Sequence, residues 1–147
     1  MTRAAHSVVT LTDACDPVQR DLDDARALAL DPKVDPEIHR RVLPGLCRSA
    51  VETAARDSWF AWAHAVGTER DIVESTWMAA RNQPQRIALA LYGDPGRSIE
   101  TWLGNAPYRR PALAMAGPGV HHGLTSDPGG AIRDVRRMVD DLMSGAP

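Results

Sequence analysis

Two polar clusters stand far apart in this chain, and together they hold the residue types that can break a phosphodiester. One is Arg48-x-x-x-Glu52, inside a long stretch of helical apolar spacing; the other is His121-His122, just after Gly117-Pro118-Gly119. An i,i+4 spacing puts Arg48 and Glu52 one turn apart on one helix face, so both could reach a phosphate presented by another segment. A guanidinium offsets the charge that builds on phosphate oxygens in a transition state. Imidazole is the one side chain whose ordinary pKa lets it give or take a proton near neutrality. Arg48, Glu52 and His121 are therefore the candidate catalytic set, and this chemistry needs neither a metal nor a cofactor.

Each cluster also has a plainer reading. Arg48, Glu52 and Arg56 have the spacing of an ion-pair ladder worth about a few tenths of a kcal/mol per pair, and an exposed His121-His122 loop would be unremarkable. Trp59 and Trp62 beside that helix face favour more than solvation. Arg109, Arg110, Arg133 and Arg137 flank the His pair in sequence and are the candidates for gripping phosphates. Against that, Arg136-Asp140 and Arg137-Asp141 are spaced as ordinary helix ion pairs. The four tryptophans could stack bases, although Trp77 fits a core stripe better.

Other chemistries lack their residues. A phosphate-cradling P-loop needs Gly-Lys-Ser/Thr, but Lys33, the sole lysine, is followed by Val34. There is no His-Glu-x-x-His or Glu-x-x-His pair for zinc or di-iron, no Gly-x-Ser-x-Gly elbow, and adjacent His121 and His122 make a poor chelate. No metal site is expected.

Composition narrows the class further. At 147 residues the chain is one domain's worth, and a net charge of -2 rules out polyanion binding by bulk charge. A local basic region remains: eight arginines between Arg81 and Arg137 face four carboxylates, while the first forty residues lean acidic. Cys15 and Cys47 have no metal or redox spacing and read as reduced thiols, which points to the cytoplasm. No apolar run approaches the roughly 18–20 residues of a membrane span, and Met1 to Thr12 lacks the apolar core of a signal peptide.

The elements that must position these residues are mostly helical. Ser7 to Thr12 is the one β-branched run, and a lone strand needs a sheet supplied by a partner or a further region. The expected layout is a single domain over 1–147, with an extended arm or strand over 1–15 and an all-α helical bundle over 16–147. Asp16-Pro17 and Asp35-Pro36 open two helices in N-cap/N1 order. The second, from about Pro36 to Val66, carries the stripe Leu43, Leu46, Cys47, Ala50, Ala54, Ser58, Ala61, Ala65, with Pro44 expected to kink or split it. Thr68-x-x-Asp71 resembles a capping box for a third helix through Ile72, Thr76, Trp77 and Ala80. A fourth helix follows Pro84, and short ones are expected over Ser98 to Leu103 and Pro107 to Met115. The last starts at Asp127-Pro128 with Ile132, Val135, Met138, Val139 and Leu142 facing inward.

The run Leu46-Cys47-Arg48-Ser49-Ala50-Val51-Glu52, the later Gly119-Val120-His121 and the closing Ala131-Ile132-Arg133-Asp134-Val135-Arg136-Arg137 resemble C-terminal helical regions of bacterial SMC-like or AAA-type ATPases. More loosely, the chain is similar to the HEPN-like anticodon nucleases of bacterial tRNA-restriction systems, whose triad is Arg-x-x-x-Glu followed by His. The resemblance implies a HEPN-like bundle and metal-independent cleavage of a structured RNA such as tRNA in bacterial defence. It makes Arg48 the phosphate-stabilising cation, Glu52 its orienting partner or base, and His121 the general acid/base. An ATPase partner or a missing N-terminal region, and pairing as a homodimer, are implied alongside; a membrane is not. The compact Arg…His spacing of standard HEPN ribonucleases is absent around His121. The competing expectation is a non-catalytic helical module that docks on an ATPase.

Overall fold

The computed structural model describes residues 16–117 and 127–147. The expected arm over 1–15, the Ser7 to Thr12 run, Cys15 and the His121-His122 loop lie outside the described residues. What is described is all-α, seven helices in the order α1 (Pro17–Leu30), α2 (Pro36–Ala65), α3 (Arg70–Ala79), α4 (Gln83–Tyr92), α5 (Glu100–Gly104), α6 (Arg109–Ala116) and α7 (Pro128–Ser144). None of them is long and apolar enough to cross a membrane.

Helix starts follow the Asx-Pro signals. Asp16, Asp35 and Asp127 each accept a backbone N–H of the first turn through their carboxylates, with proline just inside the helix, and Asn82 does the same for α4. Thr68 does not cap α3. Its N–H donates to the Ala63 carbonyl while Gly67, at φ +80°, donates to His64, so Thr68 is consumed in the Schellman closure of α2. α3 therefore begins at Arg70, with Glu69 at the cap position and no side-chain cap bond.

α2 is the central element: α1, α3, α4, α6 and α7 all pack on it. Pro44 neither splits nor ends it. The proline removes one N–H donor to the Arg40 carbonyl, on an exposed turn where water can replace it, while Leu43 and Cys47 on either side are fully buried and hold the helix to the core. Of the expected stripe, Leu43, Cys47, Ala50 and Ala54 are buried, and beyond them it drifts. Trp59 and Ala63 are buried, whereas Ala61 and Ala65 are exposed and Ser58 and Leu46 only half-buried. Burying an indole removes far more apolar surface from water than burying a serine or alanine, so Trp59 decides which face turns inward. In α3, Val73 rather than Ile72 turns inward beside Trp77; Ile72 is 52% exposed.

Four alanines of α2, Ala50, Ala54, Ala55 and Ala63, have no exposed surface. Small side chains at a helix contact let the neighbouring axis approach closely, and such a contact cannot take added volume. Ala54→Leu is expected to destabilise the fold by about 1–3 kcal/mol in chemical denaturation. An unchanged midpoint would show that the α2 contact relaxes freely.

Cys47 shares this interior, and burial pushes its thiol up to about 12. Since the thiolate is the reactive form, Cys47 is expected to resist iodoacetamide in the native protein at pH 8 and to react once unfolded, as read by mass spectrometry of its peptide. Fast native labelling at Cys47 would contradict the packing. The raised value means that its contribution to stability is complete below the ordinary thiol range and is lost as pH rises towards 12.

The amphipathic α7 closes the bundle as expected, burying Ala131, Ile132, Val135, Met138, Val139 and Leu142 against α2, α6 and α1. Gly93 ends α4 in the left-handed region at φ +69°, a conformation that residues with a Cβ rarely adopt.

Candidate functional site

The candidate site is built on the middle of α2, where one side chain after another reaches out to a different helix. Arg48 is an exposed residue whose guanidinium folds onto the end of α6: Nε donates to the Ala116 carbonyl at 3.2 Å and Nη2 to the Gly117 carbonyl at 3.0 Å. Carbonyls at a helix C-terminus lack intrahelical donors and carry the negative end of the helix dipole, so a cation from another helix satisfies both needs. These two bonds join residues 68 and 69 positions apart in sequence.

Glu52, one turn on, does not pair with Arg48. Its Oε1 accepts from Arg86 Nη1 at 2.9 Å, across to α4, with side chains 24% and 37% exposed for Arg86 and Glu52. Arg86 also donates through Nε to the Ala80 carbonyl, the C-cap of α3, at 3.0 Å, and lies over the Trp77 ring at 5.1 Å. Arg56 sits over Phe60 at 4.4 Å instead of completing a ladder with Glu52. The expected Arg48–Glu52–Arg56 ladder is thus replaced by three separate contacts, because two cations from α2 and α4 have better-placed acceptors elsewhere.

His121 and His122 are outside the described residues. The chain leaves the described part at Gly117, the residue gripped by Arg48, four positions before His121. Of the two clusters singled out by type and spacing, only Arg48 and Glu52 lie among the described residues, with Arg48 bonded to the end of α6.

The arginines expected to hold RNA divide. Arg109 is buried, its side chain 3% exposed, and its donors go to Asp141 Oδ2, the Trp102 carbonyl and the Pro147 main-chain oxygen. It also covers the Trp102 ring at 4.3 Å. A phosphate cannot reach it without unmaking that network, so Arg109 is a framework residue. Arg110 is exposed and paired with Glu100 at 2.8 Å. Arg133 is exposed, and Arg137 lies over the Tyr108 ring at 5.6 Å.

Neither of the ion pairs expected along α7 forms. Arg136 reaches back to Gln19 and Asp23 of α1, and Asp141 is taken by Arg109 and by the Tyr108 hydroxyl, which donates to it. That bond to a carboxylate, with burial second, holds the Tyr108 phenol above its ordinary value. Tertiary partners with convergent geometry win here over same-helix neighbours, whose pairing is worth only about 0.2–0.5 kcal/mol.

Sequence reasoning missed Arg86 and Gln83. Arg86 was visible only as one of the basic residues of its region, yet it follows Gln83 by three positions and abuts Ile87, the spacing of a core-facing edge. Gln83 is 94% withdrawn from solvent, with 6% exposed, and neither atom of its amide has a hydrogen-bond partner. It lines a cavity of about 410 Å³ between the start of α4, α5 and the end of α6, with Leu103, Leu113, Arg110 and Gly117 among its walls. A larger groove of about 610 Å³ runs between α2 and α3, past Phe60 and His64.

No family model matches this chain, and neither the curated proteins nor the solved structures compared with it include a match.

Proposed function

We propose that this chain is a metal-independent endoribonuclease-like effector domain in which Arg48, Glu52 and His121 act on a phosphodiester of structured RNA. The observation that carries the reading is the Arg48 grip on Gly117 at 3.0 Å, which joins the Arg/Glu cluster to the root of the His-bearing segment across 69 positions of chain. A guanidinium has five N–H groups, and the two bonds to α6 leave others to receive a phosphate.

In the proposed reaction the ribose 2′-hydroxyl gives up its proton and its oxygen bonds to the neighbouring phosphorus. The bond from phosphorus to the 5′-oxygen breaks, and that oxygen takes a proton. The products are a 2′,3′-cyclic phosphate and a 5′-hydroxyl, with no net consumption of protons. His121 shuttles the proton, Arg48 offsets the charge on the phosphorane oxygens, and Glu52, fixed in orientation by Arg86, orients the nucleophile. A tRNA-like substrate, an ATPase partner and pairing of two copies belong to the same proposal. RNA cleavage by the purified chain with EDTA present, lost in His121→Ala, tests it.

A second reading, a non-catalytic helical module that docks on an ATPase, is favoured by a different observation. Arg48 and Glu52 each have a complete framework role, tying α2 to α6 and to α4. Trp62, Val66 and Ile72, 53%, 58% and 52% exposed around the α2–α3 turn, would then be contact residues. Absence of RNA cleavage in the presence of the natural partner selects this reading.

A further inference from the structure

We infer that the cavity beside Gly117 is a nucleobase pocket in which Gln83 reads the edge of one base of the RNA. The inference rests on the ribonuclease reading for the source of the base, and on three observations of its own.

The first is Gln83. Its amide carries donors and an acceptor, and neither amide atom is bonded although the residue is only 6% exposed. A buried polar group without a partner is costly, and most such groups in folded proteins find one. Both amide atoms lie closed off from solvent behind the cavity wall that Gln83 helps to form, and a ligand that draws the amide outward would pair it. Turning that amide towards the cavity breaks no hydrogen bond, because it has none to lose.

The second is the cavity. Its volume, about 410 Å³, is within the roughly 300–1,000 Å³ usual for small-ligand sites. Pro84, Leu103 and Leu113 give it apolar walls suited to the flat faces of a base, while Arg110 and Glu100 stand at its rim as an exposed pair, 56% and 69% exposed. The Arg110 N–H groups beyond its bond to Glu100 can take a phosphate oxygen; the Glu100 carboxylate opposes it, so the base edge supplies the selectivity.

The third is position. Gly117 lines this cavity, and its carbonyl is the one that Arg48 holds. A base seated against Gln83 therefore stands next to the cation proposed to hold the scissile phosphate. Glutamine pairs in two-bond fashion with a base edge that sets a donor beside an acceptor, as adenine does.

Calorimetric titration of the full chain with adenosine 5′-monophosphate is the test. Binding is expected, and Gln83→Leu, which keeps the volume and removes both polar atoms, should weaken it about fivefold or more. The same substitution should raise the melting temperature, since it deletes an unpaired buried amide. A lowered melting temperature with unchanged affinity would mean that the amide serves the fold, and overturns the inference. Should Gln83→Leu fail to fold, Ala114→Phe, at an exposed position on the cavity wall, is expected to block the nucleotide by filling the space; undiminished binding overturns the inference equally. A 2′-O-methyl adenine trinucleotide, which cannot be cleaved by 2′-hydroxyl attack, should displace the mononucleotide. If it does not, the site takes free nucleotides and the RNA assignment is wrong. Binding is read without cleavage, so nucleotide uptake by an inactive chain leaves the pocket standing while the ribonuclease reading fails, and cleavage without nucleotide uptake does the reverse.

Discussion

Arg109→Ala is expected to cost about 3–5 kcal/mol of folding stability. Removing this guanidinium leaves Asp141 in a half-buried site with only the Tyr108 hydroxyl. It also takes the donor from the Pro147 oxygen, leaves the Trp102 carbonyl with the Asn105 N–H alone, and uncovers one face of the Trp102 indole. Uncompensated buried charge dominates this sum, since the pair itself gains little over an apolar replacement. The neighbouring Arg110→Ala removes an equally short pair with Glu100, but from side chains 56% and 69% exposed, where such bonds are worth about 0–1 kcal/mol. Urea denaturation of the two variants side by side decides the matter. Equal losses would show that the Arg109 network is not what docks α6, α7 and the C-terminal residues together.

The adjacency of Arg109 and Arg110 also marks the limit of what the chain discloses. Both were read as surface cations because local spacing cannot say which of two neighbouring arginines turns inward, and the acceptor that decides it, Asp141, is 32 positions away. Local signals served well wherever the determining contact is local. Asp-Pro starts, the α7 stripe and the inward Trp77 follow from spacing alone. They failed where a distant partner competes: Thr68 was drawn into the end of α2, and Trp59 rotated the second half of that helix. Glu52 was drawn from Arg48 to Arg86. For the candidate site, residue type pointed to Arg48 and Glu52, but nothing in the spacing of α2 could show that Arg48 closes on the end of α6. Gln83 was illegible for the opposite reason, since an unpaired buried amide leaves no pattern in sequence.

The sharpest functional expectation concerns His121, the proton carrier of the proposed triad. If the chain cleaves RNA as proposed, His121→Ala should lower the rate by about 10²–10⁴-fold, the usual worth of positioned proton transfer. His122→Ala should do much less, because adjacent side chains diverge and one imidazole suffices. Arg48→Ala should lose a comparable factor, about 10²–10³-fold, through lost charge stabilisation. That variant needs a control, since it also frees the Ala116 and Gly117 carbonyls and detaches α2 from the end of α6. Charge-assisted bonds to carbonyls contribute about 1.5–3 kcal/mol, so Arg48→Ala should also lower the denaturation midpoint, whereas His121→Ala should leave it nearly in place. Activity lost in His121→Ala at unchanged stability is therefore the decisive pattern, read on a structured RNA with EDTA present and the products examined for 2′,3′-cyclic ends. Loss in Arg48→Ala alone, in step with its stability, would assign Arg48 to the framework. Full activity in His121→Ala, or an inert wild type in the presence of its natural partner, would falsify the ribonuclease reading and leave the docking module, with Arg48 and Glu52 as struts between helices.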